Sequence, residues 1–369
     1  MMIETFNRAE LATYIQSKTY RNQAAIPISY HRALSQIANP RVGADDVLLI
    51  ISKNKKEVLG YLGIVPEQFH FSDGSVQKVG AMSCIWVSPQ ARGQGIAEKL
   101  VRKALALYDG QLVGADYVPG IKKIYDRSEG FHTEPYDLSG LRLYVRANLA
   151  RILPPKKPLF RKIKPLLKLA DQLINIIFSF RFLNKKFTIP ANVRVETLEE
   201  LTEVDYQFIN HHQSGEVFAR DLDAFNWMLE HPWILESPTV DALHQKYYFS
   251  SFEKKCRHRL LKIYNKEKDL IAILIFLHRG DHLKLHYGYF QGASIDLVGK
   301  TLFSFLVKWK IKTFTSFHAQ LNDWMEQQNS PALFTKKIQR NYVIGKKLWP
   351  TVEAEETVIQ SGDLDAGFT

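Results

Sequence analysis

Residues Arg92-Gly93-Gln94-Gly95 stand between an apolar strand pattern over residues 80–87 and an amphipathic helix pattern over residues 95–108. On that helix Ile96, Leu100, Ala104 and Leu107 share one face. Glycines at such a junction let a ligand approach the backbone and expose N–H groups. The positive end of the helix dipole adds to them, so the junction suits a pyrophosphate. Two phosphate-binding fingerprints fail here. The dinucleotide motif needs a small residue where Glu98 stands. The P-loop needs Gly-Lys-Ser/Thr, and Glu98-Lys99-Leu100 does not supply it.

Other chemistry-bearing residues read as structural. Val298-Gly299-Lys300-Thr301 ends like a P-loop, but Ser294 occupies the upstream glycine position and the stretch has a helical pattern. His278, His282 and His286 would align on a helix, yet their segment reads as strand–turn–strand, so no metal is expected. His211-His212 follows a helix and reads as a surface pair or polar cap. Cys84 and Cys256 lie far apart without a CxxC, which excludes a disulfide scaffold and a zinc ribbon and fits a reducing compartment. Cys84, in an apolar strand, reads as inert core rather than as an acyl carrier.

The run Val87-Ser88-Pro89, then Gln90-Ala91-Arg92-Gly93-Gln94-Gly95, resembles the signature of the GNAT N-acetyltransferase superfamily, Val-x-Pro followed by Gln/Arg-x-x-Gly-x-Gly/Ala. The resemblance covers about 25 residues strongly and the first 147 in element order. It implies acyl-CoA binding. The N–H groups of Arg92, Gly93, Gln94, Gly95, Ile96 and Ala97 would cradle the pyrophosphate, and the backbone at Ile85 and Val87 would pair with the pantetheine arm. An N–H near Val87 would stabilise the oxyanion. The Arg92 side chain need not touch the phosphate. The family commonly shows Tyr-x-x-x-Gly-Phe after the next strand, with the tyrosine as general acid. This chain has Tyr125, four residues, then Gly130-Phe131, one residue longer. Tyr125 is therefore the candidate to protonate the departing thiolate, beside the alternative of a packing tyrosine.

The strand over residues 81–86 carries no carboxylate for a general base. Glu67, His70, Asp116 and His132 lie in neighbouring segments, and each reads first as a surface or loop residue. The aromatics Trp227, Trp233, Tyr247 and Tyr248 line either a core or an acceptor pocket, with the core favoured.

These residues need elements to position them. Short helices are expected over residues 8–16, 29–37 and 120–128. Strands are expected over 47–52, 58–65, 80–87, 111–115 and 141–145, with a turn at 54–56. Residues 190–350 repeat a similar order without sequence identity, and lack the Gly-x-Gly where that order would put it. The fold class is therefore α/β (α+β): two GNAT-like domains, each a mixed, mostly antiparallel sheet flanked by helices. The expected boundaries are a catalytic acyl-CoA domain at 1–147, a linker at 148–189, a degenerate GNAT-like domain at 190–350 with no CoA site, and a loose acidic tail at 351–369. The degenerate domain would shape the acceptor pocket.

Composition fits that plan. The 369 residues are 46% hydrophobic and 24% charged, which supports globular domains. The net charge of +11 is not spread: residues 1–147 carry +4, 148–189 carry +9 and 190–369 carry −2. A broad nucleic-acid footprint is excluded. The basic segment between Pro154 and Pro190 is an amphipathic helix, with Phe160, Ile163, Leu166, Leu167, Ala170, Leu173, Ile174 and Ile177 at three- and four-residue steps. It reads as an interdomain connector, or as a membrane-surface helix contacting lipid through residues 156–168. The N-terminus does not read as a signal peptide, and no apolar run of about 18 residues suggests a span.

The expected function is a cytoplasmic acyl-CoA-dependent N-acyltransferase, with acetyl-CoA as donor, an unidentified primary amine as acceptor, direct attack in a ternary complex and no metal. Two alternatives remain open: a non-catalytic CoA-binding or scaffolding module, and an aminoacyl or long-chain acyl transferase on tandem domains.

Overall fold

The computed structural model describes residues 1–369 except 55–56, 183–186, 238–241, 355–356 and 369. Lys55 and Lys56 of the expected turn and Thr369 of the tail lie outside the described residues. The molecule is mixed α/β, with mostly antiparallel sheet pairing. It divides into two units: Met1–Leu138 with Glu200–Cys256 and Gln339–Thr369, and Ser139–Glu199 with Arg257–Ile338. This corrects the linear boundaries. Residues 200–256 and 339–369 return to the first unit, because their buried aromatics complete its core.

The first unit begins with strand β1 (Met2–Phe6), then helices α1 (Arg8–Gln16), α2 (Lys18–Asn22) and α3 (Tyr30–Ala38). Strands β2 (Leu49–Lys53), β3 (Val58–His70) and β4 (Val76–Val87) follow, then α4 (Ile96–Leu107), β5 (Leu112–Ala115) and α5 (Pro119–Ser128). The strands lie in the order β1-β2-β3-β4-β5, and Tyr342–Ile344 pairs antiparallel with Val113–Ala115. Alternation along the strands sends side chains to both faces. One face meets α4 through Ile96, Leu100, Val101 and Ala104, with Leu62, Ile64 and Met82 beneath. Burying each large aliphatic there contributes about 1.5–3 kcal/mol. The other face carries Leu49, Ile51 and Tyr61 against Leu11, Ile15 and Ala33.

The tail is not loose. Trp349–Val352 is helical, and Leu364–Phe368 forms a short 3-10 helix whose Leu364 and Phe368 are buried. The Phe368 ring stacks on Trp233 at 4.6 Å and meets Trp227 edge-on at 4.7 Å. The acidic composition hid these apolar anchors. Trp227 and Trp233 are thereby core residues, their indole N–H groups donating to the Ser35 carbonyl at 2.7 Å and hydroxyl at 3.0 Å.

The second unit is also built on strands flanked by helices. Thr313–Ser316 pairs antiparallel with Leu141–Tyr144 and parallel with His282–Lys284. The strands His282–Phe290 and Leu270–Arg279 are antiparallel, and Cys256–Tyr264 and Arg194–Leu198 extend the sheet. The helix Ile295–Lys308 connects the parallel strands, as α4 connects β4 to β5. Gly299 is a packing glycine: an added Cβ would meet the Trp324 ring at 2.2 Å.

Candidate functional site

β4 and β5 are parallel and bonded only at Gly80–Leu112, Ala81–Val113 and Met82–Gly114. Beyond Met82 the strands part. Two non-glycine residues with positive φ flank the parting, Cys84 (φ 58°) on β4 and Asp116 (φ 51°) after β5. The register between β3 and β4 shifts between Tyr61 and Gly63, opposite Ser83–Trp86, which marks a bulge. A bulge increases local twist and turns a strand from its neighbour. On the other side the Asp116 N–H bonds the Asn341 carbonyl at 3.0 Å, drawing the end of β5 toward Phe334–Ile344. Ser83–Val87 therefore keeps β3 on one edge and leaves the other to a wedge.

The wedge leads to the glycine loop. Gly93 (φ 81°) and Gly95 (φ 71°) are left-handed, and a Cβ on either would meet nothing within 4 Å. Gly95 is the N-cap of α4 and offers no side-chain cap, whereas Asn7 caps α1 with a full capping box. The first N–H bonded within α4 is that of Lys99, to the Gly95 carbonyl at 3.1 Å. The N–H groups of Ile96, Ala97 and Glu98 have no intrahelical acceptor. Arg92, Gly93, Gln94 and Gly95 are exposed, so this open backbone fits a pyrophosphate. Ile85 and Val87 turn their side chains toward the α4 core, leaving their main chain along the wedge. In the second unit Gly292 stands before the helix, and its φ is not positive.

Tyr125 sits at the apex. It is buried on α5, and a Cβ placed on Gly114 would lie 3.7 Å from its hydroxyl. Gly114 is the last β5 residue paired with β4, so the phenol lies where the strands separate. The extra residue before Gly130 is absorbed by Glu129, a left-handed C-cap (φ 60°). Burial, then Tyr117, then Asp365 push the Tyr125 pKa up, so the phenol keeps its proton.

The sequence reading missed a polar cluster beside the wedge. The Ser83 hydroxyl donates to the Asp365 carboxylate and accepts from the Arg32 guanidinium. Arg32 also donates to Cys84 Sγ at 2.7 Å and to the Tyr247 hydroxyl at 2.9 Å, and lies 3.7 Å over the Trp233 ring. Burial opposes the Arg32 charge, but Cys84, Tyr247 and Asp365 outweigh it and raise its pKa. Asp365 is half-buried. Nothing local in the sequence marks it, since it lies 282 residues from Ser83.

Of the expected base candidates, Asp116 flanks the parting, and each of the four has surroundings of its own. Glu67 is fully buried between Arg41 and Arg220, the latter at 2.8 Å. The Asp116 carboxylate pairs with Arg340 at 2.8 Å. The His132 ring stacks on Trp349 at 3.8 Å. His70 lines a cavity of about 740 Å³ with Gln68, Tyr206, Asn210 and Glu216. That cavity lies at the far end of β3, about 20 Å of strand from the wedge at ~3.3 Å per residue.

Aromatics surround the outer side of the wedge. Tyr61 stacks with Trp86 at 5.3 Å and Tyr247 at 5.9 Å, and Tyr248 approaches Trp86 at 6.2 Å. Tyr247 is buried, while Tyr248 is exposed. No group of three or more His, Cys, Asp or Glu among the described residues could hold a metal. His278 and His282 lie on the antiparallel strands, bonded to Arg259 at 3.0 Å and Thr315 at 2.9 Å.

Residues 9–123 match the family model described as acetyltransferase (GNAT) family. No curated protein matches the chain in sequence. Among solved structures, the chain is similar to a conserved protein of unknown function from Enterococcus faecalis V583, described as a probable N-acyltransferase. That similarity has 9% identity and a TM-score of 0.50 over 94% of this chain and 73% of the other. It is also similar to a GCN5-related N-acetyltransferase from Anabaena variabilis ATCC 29413, at 12% identity and TM-score 0.50 over 93% and 72%. At these identities the likeness is one of fold.

Proposed function

We propose, from the match of residues 9–123 to the acetyltransferase (GNAT) family model, that the chain transfers an acetyl group from acetyl-CoA to a primary amine in the wedge between β4 and β5. The observation that carries the reading is the convergence of three features. The strands part at Met82 and Gly114, the Tyr125 hydroxyl lies at that point, and the glycine loop stands at the end of the same strand.

The N–H groups from Arg92 to Ala97 hold the pyrophosphate. The free edge of Ser83–Val87 pairs with the pantetheine arm, and a main-chain N–H near Val87 takes the thioester oxygen as charge develops. The amine attacks the carbonyl carbon directly, so a C–N bond forms as the C–S bond breaks. Asp365 accepts the ammonium proton before attack, held in place by Ser83. Tyr125, kept protonated by its burial, gives its proton to the departing sulfur, and its phenolate regains one from the acylated nitrogen. Trp86 and Tyr248 offer aromatic faces to the incoming ammonium.

Calorimetric titration of acetyl-CoA tests the reading. The wild type should bind saturably, and the Gly93→Glu, Gly95→Glu double variant should fold but not bind. Absence of binding to the folded wild type would reject the reading. Binding without thiol release across a panel of primary amines would leave a CoA-binding module.

A further inference from the structure

The helix Lys164–Ser179 of the second unit is inverted. Asp171 and Asn175 face the protein, and most of its apolar side chains face out. Asp171 is buried and accepts from the N–H groups of Leu149 at 2.6 Å and Ala150 at 3.0 Å. Asn175 accepts from the Ala147 N–H at 2.8 Å and donates to its carbonyl at 3.0 Å. Leu167 is the one large aliphatic of this helix that is buried. Leu166, Leu169, Leu173, Ile176, Ile177 and, just beyond the helix, Phe180 are each more than half exposed. At 100° per residue these six occupy one stripe about 100° wide, opposite Asp171 and Asn175. A contiguous apolar face of this kind on a folded surface marks an interaction site.

The charge around the stripe identifies what covers it. Residues 148–189 carry ten Lys or Arg and a single acid, Asp171. That acid is spent on the two backbone N–H groups, so nothing within the segment neutralises it. Lys156, Lys157, Arg161, Lys162, Lys164 and Lys168 are all exposed. A second copy of the chain would bring another strongly basic segment against this one, and the two would repel. An anionic lipid surface satisfies both features, taking the aliphatic side chains below its headgroups and the lysines among them. The helix has 16 residues, about 24 Å at 1.5 Å per residue, and no described helix is long and apolar enough to cross a membrane. It would lie in the plane of the surface.

We propose that residues 156–180 dock this protein onto anionic membrane surfaces as an interfacial helix. The proposal is independent of the acetyl-CoA site.

Flotation of the full chain with vesicles tests it. The protein should float with 70:30 phosphatidylcholine:phosphatidylserine vesicles, and more weakly in about 0.5 M salt, where the Debye length is only a few ångströms. It should not float with pure phosphatidylcholine. A Leu169→Glu, Ile176→Glu variant replaces only exposed side chains and should fold, checked by circular dichroism. It should lose at least tenfold in partitioning. A Lys156→Glu, Lys157→Glu, Lys162→Glu variant should lose binding to the anionic vesicles. Failure of the folded wild type to float overturns the proposal, as does unchanged binding by the Leu169→Glu, Ile176→Glu variant. Self-association in sedimentation velocity that this variant abolishes would assign the face to a second copy and also overturn it.

Discussion

The Ser83 hydroxyl donates a hydrogen bond to the Asp365 carboxylate, joining the bulged part of β4 to the short helix Leu364–Phe368. The pair puts a carboxylate beside the strand edge where β4 leaves β5, in a strand that has no acid of its own. The Asp365→Asn variant should keep its affinity for acetyl-CoA and lose about 10²-fold in kcat. The deficit should shrink as pH approaches the acceptor's own pKa, because a free amine needs no base. A uniform deficit at all pH values in steady-state assays would assign Asp365 a positioning role.

Tyr125→Phe should lower kcat about 10²-fold with little change in acetyl-CoA binding, since it removes a proton donor and leaves the ring. The ring packs against Tyr117 and Phe131 at 5.8 and 5.1 Å, so the fold should survive. Thiol release measured alongside calorimetry separates the two effects. An unchanged kcat would return Tyr125 to a packing role.

Glu67 is fully buried between two arginines. Glu67→Leu would strand both guanidinium groups away from water and should cost about 3–5 kcal/mol. Lys300→Ala removes a pair with Asp296 in which both side chains are more than half exposed, and should cost under ~0.5 kcal/mol. Urea denaturation checks both.

His318 is the N-cap of the helix Ala319–Gln327, and its Nδ1 accepts from the Leu321 N–H at 3.5 Å. Burial lowers its pKa from 6.5 to about 4. Below pH 6.5 the unfolded chain takes up the proton first, so stability should fall as pH drops from about 6.5 toward 4. Protonation would also set a positive charge at the positive end of the helix dipole. His318→Asn supplies a side-chain oxygen as the capping acceptor without a titrating ring, and its thermal midpoint should fall less over that range.

The glycine loop was legible because its chemistry is local: Arg92-Gly93-Gln94-Gly95 are consecutive, and the strand and helix around them have strong periodicity. The strand–helix–strand order of each half was legible for the same reason. The Phe334–Ile344 strand was not, because its buried positions begin only at Arg340 and its first half reads as charged and exposed. The tail misled through composition, since Asp363 and Asp365 mask the anchoring of Leu364 and Phe368.

The sequence alone determined which backbone could receive a phosphate, and it carried the apolar and basic stripes of the 148–189 segment. Only the tertiary structure decided what faces them. Register and bulge open the wedge at Met82, and neither leaves a mark on residue type. Chain return brings Asp365 to Ser83 and Phe368 to Trp233, contacts that no periodicity encodes. A helical pattern likewise cannot say which face turns inward: Asp171 and Asn175 find backbone partners at Leu149 and Ala147, and that choice leaves the apolar stripe in solvent.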